Sequence, residues 1–171
     1  MSKNNKDEIK KFDLQCVAIK LVKEKSRLKY KMRLDNPEIA AIELYKFFSK
    51  VDREMCVVVN MNTRGTPINY NLVSIGDLNN TLVTPREVFK SGILSNAYGM
   101  VLVHNHPSGD PSPSSEDVSI TLRMQRGCRL LGFQFLDHII MGDTPLNYYS
   151  FAENGKIIDC SEEDSQKKFI I

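Results

Sequence analysis

The spacing of hydrophobic residues changes along the chain and predicts alternating strands and helices. Apolar side chains recur at roughly helical spacing over residues 37–50, just after Asn36 and Pro37, a pair that is typical of a helix start. Four short apolar runs predict strands, and these are Met55–Met61, Pro67–Ser74, Gly99–Val103 and Phe133–Met141. Strands that alternate with helices indicate an α/β fold built in layers.

Two further helices are predicted from the residues that open them. Thr84 and Glu87 have the spacing of a capping box, with a proline between them, and open a helix that runs to about Asn96. Another helix starts at about Ser114 and ends before Gly132, a residue type that commonly follows a helix.

The two ends of the chain differ in composition from its middle. Residues 1–11 are polar and residues 161–171 are charged, so both are predicted to be tails around a single domain of residues 12–160. That domain includes a β-hairpin within residues 12–34. The strands predicted for this hairpin are Leu14–Val22 and Leu28–Leu34.

Composition and charge narrow the class of protein further. Of the 171 residues, 42% are hydrophobic and 26% are charged, which fits a globular chain and excludes a disordered or coiled-coil one. The net charge of +2 argues against strong direct binding of nucleic acid. There is neither an apolar run near the ~20 residues of a membrane span nor a signal-peptide core, so we expect a cytoplasmic protein without membrane attachment. The four cysteines are far apart and are expected to be buried free thiols.

The clearest chemistry lies in two histidines and one aspartate. His104 and His106 are two apart in an extended segment, so their side chains point to the same side and can reach one metal ion. Asp117, in the first turn of the next helix, can turn back as a third ligand. These three groups leave a fourth tetrahedral position for water, which is the arrangement of a catalytic zinc site. The sequence therefore predicts one Zn²⁺ per chain, which lowers the pKa of its water.

Several of these residues also have a structural interpretation. Ser114 and Asp117 have the spacing of an N-cap and its N3 partner, so helix capping competes with a role in the site. The loop around the histidines supplies Asn105 and Ser108 as candidates to contact substrate, but it is also consistent with a tight turn. His138 is interpreted as a structural residue or as one that orients a ligand.

The combination of Glu54, His104-x-His106-Pro107 and Ser114-x-x-Asp117 resembles the JAMM signature of JAB/MPN-type metalloproteases. The segment VLVHNHPSGDPSPSSEDVSITLRM and the upstream DREMCVVVNMNTRG resemble the bacterial RadC-like JAB proteins in particular. This resemblance extends over residues 12–160. It implies a JAB/MPN-like mixed β-sheet flanked by helices, in a layer arrangement like that of cytidine deaminases.

The resemblance also implies roles for individual residues. The zinc ligands would be His104, His106 and Asp117. Glu54 would be the general base that activates the zinc-bound water, and Ser114 would donate a hydrogen bond to the tetrahedral oxyanion. The implied activity is that of a metallopeptidase or isopeptidase acting on a protein or peptide. Judged from the residues alone, Asp52 and Glu87 compete with Glu54 as the base.

Two other functions compete with hydrolysis. The RadC name suggests a module associated with DNA repair, but the near-neutral charge opposes this, and we expect no helix-hairpin-helix region ahead of the domain. In the other alternative, the chain is a protein-interaction module whose zinc is structural. The open fourth position of the predicted site argues against that alternative.

Overall fold

The computed structural model describes residues 17–25, 36–76 and 83–157. Its elements, in chain order, are helix α1 (Pro37–Phe48), strands β1 (Met55–Met61) and β2 (Pro67–Ile75), helix α2 (Pro85–Leu94), strand β3 (Gly99–Asn105), helix α3 (Ser115–Leu131), and strands β4 (Gln134–Met141) and β5 (Tyr148–Ser150). The strands form one sheet in the order β2-β1-β3-β4-β5. β3 and β4 pair in parallel and are connected by α3, whereas the other neighbouring strands are antiparallel.

Both faces of this sheet are buried at its centre, where successive residues of β1 pack into different cores. Val57 and Val59 pack with Leu44 of α1 on one face. Val58 packs with Val88 of α2 and Met124 of α3 on the other. Since alternate side chains of a strand point to opposite faces, β1 and β3 are buried at every position. The sheet is thus a middle layer, and the predicted α/β class with a mixed sheet is confirmed.

Most of the predicted elements are confirmed, and the differences are small. The strand predicted over Gly99–Val103 continues to Asn105, so that His104 lies inside β3. β5 was not predicted, because three residues are too short to show a periodic pattern. Cys56 and Cys128 are buried free thiols, as expected.

The capping box predicted at the start of α2 is wrong. Thr84 does precede the helix, but its side chain makes no capping hydrogen bond. The carboxylate of Glu87 is turned along the helix and forms an ion pair with Lys90. At the start of α3, in contrast, Ser114 and Asp117 form both hydrogen bonds of a capping box.

The predicted N-terminal hairpin is not formed where its first strand is described. Residues 17–25 contain no strand, and Val17 and Val22 are exposed. A strand requires a hydrogen-bonding partner, and no described residue pairs with this segment. The second strand predicted for the hairpin, both predicted tails, Cys16 and Cys160 lie outside the described residues. The described helices are all too short or too polar to cross a lipid bilayer.

Candidate metal centre

Three elements meet at one edge of the sheet, where the candidate site lies. β3 ends one residue after His104, and His106 follows directly. α3 starts beside this end and carries Asp117 in its first turn. β1 is the antiparallel neighbour of β3, and its Cys56 pairs with His104. Because Glu54 precedes Cys56 by two residues, the same register brings Glu54 level with His106.

The two histidines and Asp117 form a compact cluster. The Nε2 atoms of His104 and His106 are 3.1 Å apart. Oδ1 of Asp117 lies 3.1 Å from Nε2 of His104, and Oδ2 lies 3.4 Å from Nε2 of His106. Among the described residues, this is the group of His, Cys, Asp or Glu side chains that could hold a metal ion. The fold therefore brings together the three ligands predicted from the sequence.

The spacing and the protonation of this cluster fit a metal cation. Nδ1 of His106 lies 2.7 Å from the carbonyl oxygen of Asp110, which can only accept, so this nitrogen carries a proton. Nε2 is therefore the nitrogen of His106 that is left to bind a metal ion, and it faces His104 and Asp117. Zinc–nitrogen bonds of about 2.0–2.1 Å in a tetrahedron separate two ligand atoms by about 3.3 Å. The three observed separations lie close to that value.

Electrostatics within the cluster act in opposite directions on its members. Burial alone would raise the pKa of Asp117, but hydrogen bonds from His104 and His106 outweigh it and hold this pKa far below its ordinary value. The hydrogen bond with Asp117 raises the pKa of His106 against the effect of burial. Asp117 is therefore a carboxylate at neutral pH, which is the form that binds a metal.

Ser114 and Asp117 combine the two interpretations that the sequence left open. The Ser114 hydroxyl donates to Oδ2 of Asp117 at 2.6 Å, and the Ser114 backbone N–H donates to the same atom at 2.8 Å. The Asp117 N–H donates back to the hydroxyl oxygen at 3.1 Å. The cap and the cluster thus use the same carboxylate, and the cap holds it in front of the histidines.

A chain of hydrogen bonds lies behind the cluster. Nδ1 of His104 is 2.9 Å from Nε2 of His138, and Nδ1 of His138 is 2.6 Å from Oγ1 of Thr121. Thr121 donates in turn to the backbone carbonyl of Asp117 at 2.7 Å. Burial, assisted by the charge of His104, lowers the pKa of His138 well below its ordinary value, so His138 is neutral. Thr121 is not among the residues predicted for the site, although its position four residues after Asp117 places both residues on one helix face.

Glu54 is half-buried at the start of β1 and is held there by Asn105. The Asn105 side-chain N–H donates to the carbonyl of Arg53 at 3.1 Å, and its Oδ1 accepts from the N–H of Met55 at 2.9 Å. The peptide groups on both sides of Glu54 are therefore bonded to the strand that carries the histidines. The negative charge of Glu54 contributes to the raised pKa of His106. The buried amide of Asn105 is thus bonded to these peptide groups, and its contact with substrate stays a prediction.

The remaining predicted residues lie on the surface. Ser108 is exposed in the loop that follows His106, where its Oγ accepts a long hydrogen bond of 3.4 Å from Asp110 N–H. Asp52 is exposed and bonded to Arg53, and Glu87 pairs with Lys90. Of the three carboxylates considered as the base, Glu54 is therefore the one placed beside the histidines.

Comparisons with known proteins agree with this geometry. A family model described as the RadC-like JAB domain matches residues 34–156. A UPF0758 protein of Desulfitobacterium hafniense is 41% identical over 122 residues, which are 71% of this chain and 53% of that protein. A UPF0758 protein of Bacillus licheniformis is 44% identical over 119 residues, which are 70% of this chain and 52% of that protein. A UPF0758 protein of Geobacillus sp. is 39% identical over 142 residues, which are 82% of this chain and 62% of that protein. The chain spans less than two thirds of the length of each of these relatives. Since the family model covers most of the chain, this protein belongs to the family of RadC-like JAB domains.

Proposed function

We propose that this chain is a zinc-dependent hydrolase of amide bonds, a peptidase or isopeptidase. The observation that carries the proposal is the convergence of His104, His106 and Asp117, a group that could hold a metal ion. Glu54 is half-buried, and its negative charge acts on His106. Two imidazoles and one carboxylate are a donor set that zinc uses when one position stays open for chemistry. Membership in the RadC-like JAB family supports the same reaction class.

The proposed division of work follows from what each group can do. When bound, the ion supplies a Lewis acid that polarises an amide carbonyl and lowers the pKa of water. Glu54 accepts a proton from the attacking water and delivers it to the departing amine. Asn105 bonds the peptide groups on both sides of Glu54 and so keeps the backbone that carries the base in place.

Ser114 is proposed to stabilise the oxyanion that forms when water adds to the amide. Its hydroxyl donates a hydrogen bond to Asp117 in the substrate-free chain. Rotation about the Cβ–Oγ bond redirects this proton towards a substrate oxygen, while the Ser114 backbone N–H continues to hold Asp117. Ser108, exposed on the same loop as His106, is proposed to contact the substrate chain.

The first test measures metal content by elemental analysis. We expect about one zinc per chain in the wild type and loss of zinc in both His104→Ala and Asp117→Ala. The wild-type chain loaded with zinc is then incubated with a peptide library, including peptides linked through a lysine side chain, and new termini are identified by mass spectrometry.

The test of the base uses two matched carboxylates. Glu54→Gln should keep its zinc and lose hydrolysis, whereas Glu87→Gln, which alters an exposed ion pair, should keep both. Loss of zinc in Glu54→Gln would contradict its assignment as the base. A zinc ion whose removal unfolds the chain, with no new termini in the library, would indicate a structural site instead.

A further inference from the structure

When Nε2 of His104 binds a metal ion, the hydrogen bonds behind His104 permit one arrangement of protons. The carbonyl oxygen of Asp117 can only accept, so the Thr121 hydroxyl donates its single proton to it. Oγ1 of Thr121 must then accept from Nδ1–H of His138. Neutral His138 has its lone pair on Nε2 and accepts from Nδ1–H of His104. The lone pair of His104 is therefore on Nε2, the nitrogen that faces His106 and Asp117.

We propose that Thr121 and His138 form a relay that fixes His104 in the tautomer whose Nε2 binds the metal. The proposal rests on the metal site of the proposed function. Both residues are positioning residues, because they act through His104.

The two histidine ligands differ in how their second nitrogen is held. His106 donates to a backbone carbonyl, that of Asp110, which is an acceptor in every protonation state. His104 donates to an imidazole, which is an acceptor only in one tautomer. The orientation of His104 therefore depends on the proton of His138, and Thr121 determines where that proton lies.

The relay also connects elements that come from distant parts of the sequence. It runs from His104 in β3 to His138 in β4 and ends at the backbone of Asp117 in α3. The exposed fractions of His104, His138 and Thr121 are 3%, 0% and 2%. Water therefore does not replace a partner that is removed, and each hydrogen bond in the relay is needed.

Removal of the Thr121 hydroxyl should reverse the relay. In Thr121→Val the shape is kept, but Nδ1–H of His138 has no acceptor in a buried position. The opposite tautomer of both rings relieves this: Nε2–H of His138 then donates to Nδ1 of His104, and the proton of His104 moves to Nε2. A metal ion must displace that proton before it can bind, so its affinity falls.

The experiment measures the affinity of the full chain for Zn²⁺ alone, in competition with a chromophoric chelator. Thr121→Val and His138→Leu should raise the dissociation constant by about 10- to 100-fold. Thr121→Ser keeps the hydroxyl, and His138→Gln offers an amide oxygen to His104 and an amide N–H to Thr121. These two matched controls should stay within about threefold of the wild type.

A second readout is the tautomer of each ring, measured by two-bond ¹H–¹⁵N NMR of the histidines in the zinc-loaded chain. The wild type should carry the protons of His104 and His138 on Nδ1 of each ring. A wild-type His138 protonated on Nε2, or a folded Thr121→Val with unchanged affinity for zinc, would overturn the relay. The wild-type measurement does not depend on whether any variant folds. If the wild type binds no zinc, the proposed function fails and the relay fails with it, whereas zinc binding that Thr121→Val leaves unchanged overturns the relay alone.

Discussion

Asp117 and Asp137 are two buried carboxylates with similar hydrogen bonds and opposite pKa shifts. Each accepts a serine hydroxyl at 2.6 Å, from Ser114 and Ser150 respectively. Each also accepts backbone N–H groups: one for Asp117, and those of His138 and Ala152 for Asp137. Yet the pKa of Asp117 is held far below its ordinary value, whereas burial raises the pKa of Asp137 to about 6 despite these donors.

The difference lies in the groups that can carry positive charge. Asp117 faces His104 and His106 across 3.1 and 3.4 Å, whereas Asp137 faces neutral donors and feels the negative charge of Glu153. Hydrogen bonds from neutral donors offset only part of the rise in pKa that burial causes. Partners that can carry positive charge lower the pKa of the carboxylate below its ordinary value instead. A metal site needs an environment like that of Asp117, which keeps the carboxylate ionised. Asp137 instead holds the turn after β5 through its hydrogen bonds.

The largest expected effect is on zinc affinity, which should depend on Asp117 and not on Asp137. Asp117→Asn removes a ligand and should weaken zinc binding by at least about 100-fold, since loss of an outer-shell partner alone costs 10–100-fold. Asp137→Asn should leave the affinity within about threefold. Chelator competition measures both, and equal affinities in the two variants would remove Asp117 from the ligand set.

The second effect is the pH dependence of stability in the metal-free chain. The folded pKa of Asp137, about 6, lies above the ordinary 3.8. The unfolded chain therefore releases this proton first, and stability falls as pH rises from about 4 to about 6. About two pH units at about 1.4 kcal/mol each correspond to about 3 kcal/mol. Urea unfolding at several pH values should show this fall in the wild type but not in Asp137→Asn.

The depressed pKa of Asp117 changes the stability in the opposite direction. The stabilisation that it contributes is lost as pH falls below about 4.

The third prediction removes the two matching hydroxyls. Ser114→Ala removes a helix cap and should cost about 1 kcal/mol of unfolding free energy. Ser150→Ala removes a donor from buried Asp137 and should cost about 1–2 kcal/mol at pH 7. It should also move the upper end of the pH-dependent range of Asp137 upwards, a shift that Ser114→Ala should not produce. Identical pH profiles in the two variants would contradict the proposed role of the Ser150 hydroxyl.

The smallest effect is expected for Glu87, a carboxylate in the first turn of α2 that belongs to neither a capping box nor the candidate metal site. Glu87→Gln in α2 alters an exposed ion pair and should change the unfolding free energy by less than about 0.5 kcal/mol, with zinc affinity unchanged. A larger loss would mean that the start of α2 resembles that of α3 more than its hydrogen bonds indicate.

Elements with a strong local pattern could be predicted from the sequence. β1 and α3 were predicted because apolar residues, a capping serine and a terminal glycine act over a few neighbouring residues. The same kind of pattern failed at Thr84 and Glu87, where Lys90 binds the carboxylate instead. The described part of the first hairpin strand, residues 17–22, is not a strand, since alternation alone does not form one and no described residue pairs with it.

The candidate site was only partly predictable. His104 and His106 are adjacent on one side of a strand, and this follows from local geometry. Glu54 was singled out through the family resemblance, because no local pattern links it to histidines fifty residues away. Asn105 was predicted to contact substrate, and its bonds to the peptide groups around Glu54 depend on how β1 pairs with β3.

The sequence by itself therefore determined the alternation of strands and helices, the histidine pair and the capped start of α3. Each of these depends on backbone geometry over one or two turns or a single strand. The tertiary structure alone decided that His138, 34 positions after His104, is its hydrogen-bond partner. It also decided that Asp117 faces two histidines while Asp137 does not. Pairing between strands sets both outcomes, because register brings distant side chains within a few ångströms, and charge and proton position depend on those neighbours.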